Sequence, residues 1–437
     1  MQSIDTIFAL SSGLLPSGIA VVRLSGPHVR DALTRFMGKL PRARAAELRT
    51  MRDASGSILD RGIAVFFPQP ASFTGEDCAE FSLHGGRAVV AAVLRALSDM
   101  PGCRQAGAGE FTKRAFLNGK LDLTEAEALA DLIAAETEAQ RRFALGNSSG
   151  LQRELYASWR SRLIHARAMI EAELDFADEG DVPDSVADVW GDMGLLAGEL
   201  RRHVASFHSG EIVRDGLQVV IMGPPNAGKS SLINYLAQRD VAIVSDEPGT
   251  TRDLVEVSID VGGAKIVLTD TAGLRADPGK VEALGIDRAM ERARHADLVL
   301  WLRDLSLSVQ PRLLVDEVAP VWEVGTKADL AVEGAPVAYR ISTRTGEGIE
   351  GLLAALCACA HGLGAQVGDV VPFRERHVGL LIAGLDHLVE SIEAAGSPPE
   401  VRAEGLRRAT TALEEVVGHV RVEDLLGSIF SQFCIGK

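Results

Sequence analysis

The chain has 437 residues, with 45 Lys+Arg against 60 Asp+Glu for a formal charge of −15; 46% of its residues are hydrophobic and 24% charged. That composition excludes disordered, collagen-like and disulfide-scaffold classes, and at about 150 residues per domain it suggests two or three domains. The acidic balance argues against a generic nucleic-acid coat or a binder of anionic membranes, while leaving room for a local basic patch. Five cysteines, Cys78, Cys103, Cys357, Cys359 and Cys434, give an odd number with no paired framework, which fits a reducing compartment.

The opening MQSIDTIFALSSG has an early Asp and no basic segment before a long apolar run, unlike a secretory leader. The longest uncharged stretch, Gly351 to Gly364, is too short to span a bilayer. The expectation is a cytoplasmic protein without a membrane partner.

Residues 1–118 mix strand-like runs, IAVVRL (19–24) and IAVFF (63–67), with a helical segment at 87–99, as in a small α+β domain. Residues 119–215 turn helical. LTEAEALADLIAAETEAQRRFAL (123–145) reads as a helix opened by a Thr124–Glu127 capping box, and LQRELYASWRSRLIHARAMIEAELDF (151–176) continues the three- and four-residue apolar steps. A turn near Glu179 to Pro183 precedes a further helix. Residues 216–370 alternate strand and helix, and 371–437 are helical again. The fold class is therefore multidomain, α/β plus all-α: an N-terminal α+β domain, a helical bundle, and an α/β domain inserted into the bundle. Cys357 and Cys359 lie in the helical run LLAALCACAHG, where C-x-C spacing turns the thiols to different faces, and read as core residues rather than metal ligands.

The strongest signal is LQVVIMGPPNAGKSSLINYL. A buried strand, Leu217 to Met222, leads into Gly223-Pro-Pro-Asn-Ala-Gly228-Lys229-Ser230 and then a helix, the context that G-x-x-x-x-G-K-[ST] requires. Backbone N–H groups of such a loop (Asn226, Ala227, Gly228, Lys229, Ser230, Ser231) curl around phosphate oxygens at a helix N-terminus. Lys229 reaches the β- and γ-phosphates, and Ser230 offers a hydroxyl to magnesium. Asp270-Thr271-Ala272-Gly273 follows the strand KIVLTD, where a magnesium-linked carboxylate and a γ-phosphate amide belong. Thr326-Lys327-Ala328-Asp329 follows the strand APVWEVG at the base-recognition position, and Asp329 accepts from the two donors of guanine that adenine lacks. Ser342-Thr343 presents a backbone N–H to guanine O6. Thr326 stands where Asn is usual, and its shorter reach predicts a weaker tie between base pocket and phosphate loop.

Leu274 occupies the place of the water-orienting Gln of Ras-type GTPases and cannot hydrogen-bond. Two features could replace it. Glu282, at the start of a helix, could position water, or be an ordinary first-turn Glu favoured by the helix dipole. In SDEPGTTRD (245–253), Thr250 and Thr251 can reach magnesium and γ-phosphate, and a monovalent cation held there with Asn226 would offset transition-state charge.

The constellation resembles the potassium-dependent tRNA modification GTPase family MnmE (TrmE) along the whole chain. GPPNAGKSSLIN, DEPGTTRD and DTAGLR…VEALGIDRA are similar to its GTPase segments. SFTGEDCAEFSLHGG, GEFTKRAFLNGKLDLTEAEALADLI and the terminal FCIGK are similar to its N-terminal, hinge and C-terminal segments. The resemblance implies a GTP site that includes Ser245, Asp246, Glu247, Pro248, Gly249, Thr250 and Thr251. It implies potassium at Asn226, Ser245, Glu247 and Thr250, magnesium at Ser230 and Thr251, and Glu282 as the water-positioning carboxylate. Arg23, Glu80, Lys120 and Lys437 match positions that hold 5-formyl-tetrahydrofolate or a related folate. Cys434 matches the family cysteine near that cofactor.

The implied reaction adds an aminomethyl or carboxymethylaminomethyl group to C5 of the wobble uridine of certain tRNAs, together with the flavin- and NADH-using partner MnmG. The family also implies an N-terminal homodimer that joins this partner as a heterotetramer, and hydrolysis coupled to G-domain dimerisation. Local arginines (Arg141, Arg142, Arg153, Arg160, Arg162, Arg167, Arg407, Arg408) could offset the −15 charge toward tRNA, or be solvated helix faces. The alternative is a regulatory P-loop GTPase switch in ribosome assembly, which has no use for Arg23, Glu80, Lys120 or FCIGK.

Overall fold

The computed structural model describes residues 5–176, 185–239, 242–243, 256–270, 291–307, 319–331, 337–366, 368–418, 430 and 436. The chain divides into two compact units, Met1–Ala130 with Glu414–Lys437, and Asp131–Leu413.

The first unit contains β1 (Thr6–Leu10), β2 (Ser17–Ser25), α1 (Val29–Met37), β3 (Glu47–Arg52), β4 (Ile58–Phe67), β5 (Cys78–Gly85), α2 (Arg87–Ser98), β6 (Cys103–Gln105), α3 (Glu110–Leu117) and the start of α4 (Leu123–Ala134). Its six strands run in the order β3-β4-β5-β2-β1-β6. Alternation along β2 buries Ala20, Val22 and Leu24 and turns Val21 and Arg23 to the opposite face. The first face meets Leu33 and Phe36 of α1 and Val93 and Leu97 of α2. On the other face Ile7 and Ala9 of β1 pack with Phe111 of α3. α1 buries Val29, Ala32, Leu33 and Phe36, one helical stripe. Phe430 packs on Leu123 and Ala126, and the Gly436 carbonyl accepts from the Ser11 hydroxyl at 2.8 Å, so the end of the chain returns to this unit.

α4 is opened by Asp122, not by the expected Thr124–Glu127 box. The Asp122 carboxylate accepts the Glu125 N–H at 2.8 Å, and Glu125 accepts the Asp122 N–H at 2.8 Å. The helix read across 123–145 is two: α4 ends at Ala134, and α5 (Glu138–Asn147) starts at Thr137, which forms its own capping box with Gln140.

The second unit holds a helical bundle and the inserted α/β domain. The bundle helices are α5, α6 (Leu151–Phe176), α7 (Ser185–Ala205) and α8 (Phe207–Asp215), rejoined after the insertion. The inserted domain runs β7 (Leu217–Met222), α9 (Lys229–Ala237), β8 (Glu256–Val261), β9 (Ala264–Asp270), β10 (Leu298–Asp304), β11 (Val321–Thr326), β12 (Tyr339–Arg340) and α10 (Ile349–Leu363). The chain then returns to the bundle as α11 (Glu375–Glu393) and α12 (Pro399–Val417). The sheet order is β12-β11-β10-β7-β9-β8, parallel except for β8 at the edge. β7 is buried almost throughout, as a strand covered on both faces must be. The turn Glu179 to Pro183 lies outside the described residues.

Candidate functional site

The C-terminal ends of β7, β9, β10 and β11 collect the motif residues on one edge of the parallel sheet, where ligands bind in open α/β folds. Ile221 is opposite Asp270, and Asp304 opposite Thr326. Gly223 leaves β7 at φ 147, and a Cβ there would lie 2.6 Å from the Leu302 carbonyl, so only glycine lets the loop hug the sheet. Gly228, at φ 94, is the N-cap of α9, and Lys229 is its first residue. The Lys229 ammonium folds back to donate to the Gly223 and Pro224 carbonyls at 2.8 and 3.0 Å. Burial pushes its pKa below the ordinary lysine value, while Asp270 pulls the other way. Ser230 Oγ donates to Asp270 Oδ2 at 2.9 Å, which sets two hard oxygen donors side by side as a magnesium site requires.

Thr326 reaches the phosphate loop through its hydroxyl. Its Oγ1 lies 2.7 Å from the Ala227 carbonyl and 3.1 Å from that of Arg303, so its one proton serves either acceptor. Lys327 sits at φ 54 and its ammonium pairs with Asp304. Burial raises the Asp304 pKa, but the Lys327 ammonium and Ser306 outweigh it and hold the carboxyl below the usual range. Asp329 accepts from Ser342 Oγ at 2.6 Å and from Arg344 Nε at 2.8 Å, and the Ser342 hydroxyl leads in lowering its pKa. Asn226 is exposed at φ 63, a conformation Asn tolerates well. Ser231 and Thr343 flank these groups in sequence. Ser245, Asp246, Glu247, Pro248, Gly249, Thr250, Thr251, Thr271, Ala272, Gly273 and Glu282 lie outside the described residues, as do Cys434 and Lys437.

The first unit holds a second constellation. Arg23 and Glu80 face one another across β2 and β5, with Arg23 Nε donating to Glu80 Oε1 at 3.0 Å. The Arg23 guanidinium lies 5.6 Å from the Phe73 ring centre and 5.8 Å from that of Phe111. Lys120 Nζ donates to the Pro70 carbonyl at 3.1 Å, in the loop that carries Phe73. The Arg23–Glu80 pair thus lies beside an exposed aromatic ring, Phe73.

The expected arginines are not a free basic surface. Arg141 and Arg142 pair with Glu138, and Arg407 and Arg408 with Glu404. Arg162 pairs with Asp192 and Glu199, and Arg167 with Glu171. Cys357 and Cys359 are half-buried rather than fully in the core. A cavity of about 520 Å³, lined by Phe143, Leu151, Ile212, Gly263, Ala360 and Val370 among others, contains none of the motif residues.

Two family models match the chain: the GTP-binding protein TrmE N-terminus over residues 6–120 and the MnmE helical domain over residues 123–434. The chain belongs to the MnmE family. It is 57% identical to the tRNA modification GTPase MnmE of Chelativorans sp. (strain BNC1), over 99% of this chain and 98% of that one. It is 56% identical to the tRNA modification GTPase MnmE of Mesorhizobium japonicum, over the full length of both. Over 33% of its length it is also similar to the G domain of the T. maritima FeoB iron transporter (28% identity, 98% of that chain, TM-score 0.26). As a member of the MnmE family the protein is a GTPase, built from an N-terminal domain, a helical domain and a P-loop domain inserted in it. Among the described residues no helix is long and apolar enough to cross a membrane.

Three residues beside these sites were not singled out from sequence. Asp304 carried the one available signal, an acidic residue ending a strand at the ligand edge of the sheet. Phe73 lies within SFTGEDCAEFSLHGG but is not marked there as a site residue, and Arg344 gives no signal, because a cation in a loop has no periodicity.

Proposed function

We propose that the protein is a potassium-activated GTPase that acts in the cytoplasm on certain tRNAs. With a flavin-dependent MnmG-type partner it adds an aminomethyl or carboxymethylaminomethyl group to C5 of the wobble uridine, and hydrolysis is coupled to G-domain dimerisation. The domains are 1–118 (folate-binding and dimerising), 119–215 and 371–437 (helical), and 216–370 (GTPase). The observation that carries the reading is the pairing of two sites in one chain: Lys229, Ser230, Asp270, Thr326 and Asp329 on one sheet edge, and Arg23, Glu80 and Phe73 together elsewhere. A regulatory switch needs only the first.

In this reading the backbone amides of residues 226–231 hold the phosphates, and Lys229 exchanges its loop carbonyls for β- and γ-phosphate oxygens. Asp329 and the backbone near Ser342 and Thr343 select guanine. Ser230, Thr251 and Asp270 hold magnesium, and Asn226, Ser245, Glu247 and Thr250 hold potassium. When bound, the two cations neutralise charge that builds on the phosphates. Glu282 orients the attacking water in place of Leu274. Arg23, Glu80, Lys120 and Lys437 hold the folate, with Cys434 nearby, and two protomers meet through the N-terminal domain before the partner joins.

The test is the GTP hydrolysis rate of the purified protein in potassium against sodium chloride at equal ionic strength. The expected result is a potassium-specific acceleration that Glu282→Ala abolishes while GTP binding persists. Equal rates in both salts would overturn the cation site, and retained turnover in the variant would remove the role of Glu282.

A further inference from the structure

Only three non-glycine residues among those described adopt a left-handed backbone: Asn226, Lys327 and Arg44. The first two stand in the phosphate loop and the base motif. Such conformations persist where surrounding structure over-determines them, and they cluster at ligand sites. Arg44, at φ 58, sits in no motif identified above. Its N–H donates to the Phe66 carbonyl at 2.7 Å, and Ala43 bridges to Phe66, so the strained residue is pinned to β4.

That pinning aims the side chain at the folate-side loop. The Arg44 guanidinium donates to the Ala71 carbonyl, next to the Pro70 carbonyl that Lys120 occupies. The Cα atoms of adjacent residues are about 3.8 Å apart, so the two cations share one short turn. Phe73, two residues on, leads to Arg23 and Glu80. Arg44 is exposed, and no carboxylate among the described residues pairs with it. Residues 32–46 carry Arg35, Lys39, Arg42 and Arg44 and no acid, in a chain of net charge −15; Arg42 pairs with Glu47 just beyond, at 3.5 Å, whereas Arg44 does not. One end of the site is thus a carboxylate and an aromatic ring, and the other is the short cation strip of Arg44 and Lys120.

We infer that Arg44, with Lys120, forms a binding site for the oligo-γ-glutamyl tail of a reduced folate, an extended chain that adds one carboxylate with each residue. This rests on the folate reading above, which counts Lys120 among the residues that hold the folate and gives no role to Arg44. A guanidinium keeps four N–H donors beyond the one used on Ala71, in the planar fork that suits carboxylates.

The experiment titrates the full-length protein calorimetrically with the mono- and pentaglutamate forms of 5-formyl-tetrahydrofolate. Wild type is expected to favour the pentaglutamate by about five- to tenfold at low salt, the scale of two partly exposed ion pairs. Arg44→Ala should cut the preference to about two- to threefold, the share left to Lys120, and leave monoglutamate affinity within about twofold, and Arg44→Lys should retain most of it. Thermal unfolding of both variants, matched to wild type, separates tail binding from damage to the turn. Equal binding of the two forms by wild type would overturn the site. So would an equal loss for both forms in Arg44→Ala, or a loss of tRNA affinity with folate affinity unchanged, which would give the strip to RNA. If wild type binds neither form, the folate reading itself falls, and this site with it.

Discussion

The Thr326 hydroxyl lies 2.7 Å from the Ala227 carbonyl and so joins the end of β11 to the phosphate loop. Both groups are buried, Thr326 at 4% exposure and Ala227 at 0%. Thr326→Val keeps the shape and removes the proton, which leaves a buried carbonyl short of a partner at a cost of about 1–3 kcal/mol. Guanine-nucleotide Kd should therefore rise by about five- to a hundredfold in a fluorescent-nucleotide titration. An unchanged Kd would mean that the Arg303 carbonyl, at 3.1 Å, is the functional acceptor.

Asp329 should decide which base is bound. Its two oxygens now accept from Ser342 and Arg344, the set of acceptor positions that the N1–H and exocyclic amine of guanine need. Asp329→Asn replaces one acceptor with a donor. Xanthine carries a carbonyl in place of that amine, so the variant should lose guanine nucleotides by at least about a hundredfold and gain xanthine nucleotides. Competition between GTP and XTP in a hydrolysis assay reads this directly, and unchanged preference would place base recognition elsewhere.

Ser230 and Asp270 should govern magnesium. Their oxygens are 2.9 Å apart, and Asp270 is only 2% exposed. Ser230→Ala and Asp270→Asn should each raise the magnesium concentration needed for half-maximal hydrolysis and lower kcat by about a hundredfold, as expected when a charge-stabilising contact is lost. Nucleotide binding in chelator should change little. Magnesium titrations that superimpose on wild type would remove both residues from the site.

What the sequence disclosed follows from the range of the forces involved. The phosphate loop was legible because its glycines, lysine and hydroxyl must lie within eight residues between a strand and a helix. The insertion was legible because the hydrophobic period changes at 216 and again after 370. The break at Glu136–Thr137 was not, since α4 and α5 share an apolar rhythm and what separates them is the capping box in which Gln140 accepts the Thr137 N–H at 3.0 Å and the Thr137 hydroxyl accepts the Gln140 N–H at 3.3 Å. The opening of α4 was misread for a related reason: two overlapping pairs satisfy the box spacing, and Asp122–Glu125 takes it because Thr124 itself donates to Asp122. Whether Thr326 ties the base motif to the loop is not legible in the sequence, because its reach depends on how closely β11 approaches the loop; its hydroxyl lies 2.7 Å from the Ala227 carbonyl. Phe73 and Arg44 meet Arg23 and Lys120 only through tertiary contacts, and no local spacing encodes those.

The helical bundle should be acid-sensitive. His203 is 7% exposed, its Nε2 3.0 Å from the Tyr156 hydroxyl, its ring edge-on to Trp159 and near His377. Burial, then the neighbouring His377, lowers its pKa from 6.5 to about 4, against a raising contribution from the Val370 backbone. The unfolded chain therefore binds a proton between these values that the folded chain refuses. Stability is complete above the unfolded value and is lost as pH falls from about 6.5 toward 4, by roughly 3 kcal/mol in all for this one group. His203→Gln keeps a polar partner for Tyr156 and cannot titrate. Urea unfolding of the full-length protein at stepped pH should show wild-type stability falling through that window and the variant falling less steeply. Parallel curves for the two proteins would show that other groups carry the acid sensitivity.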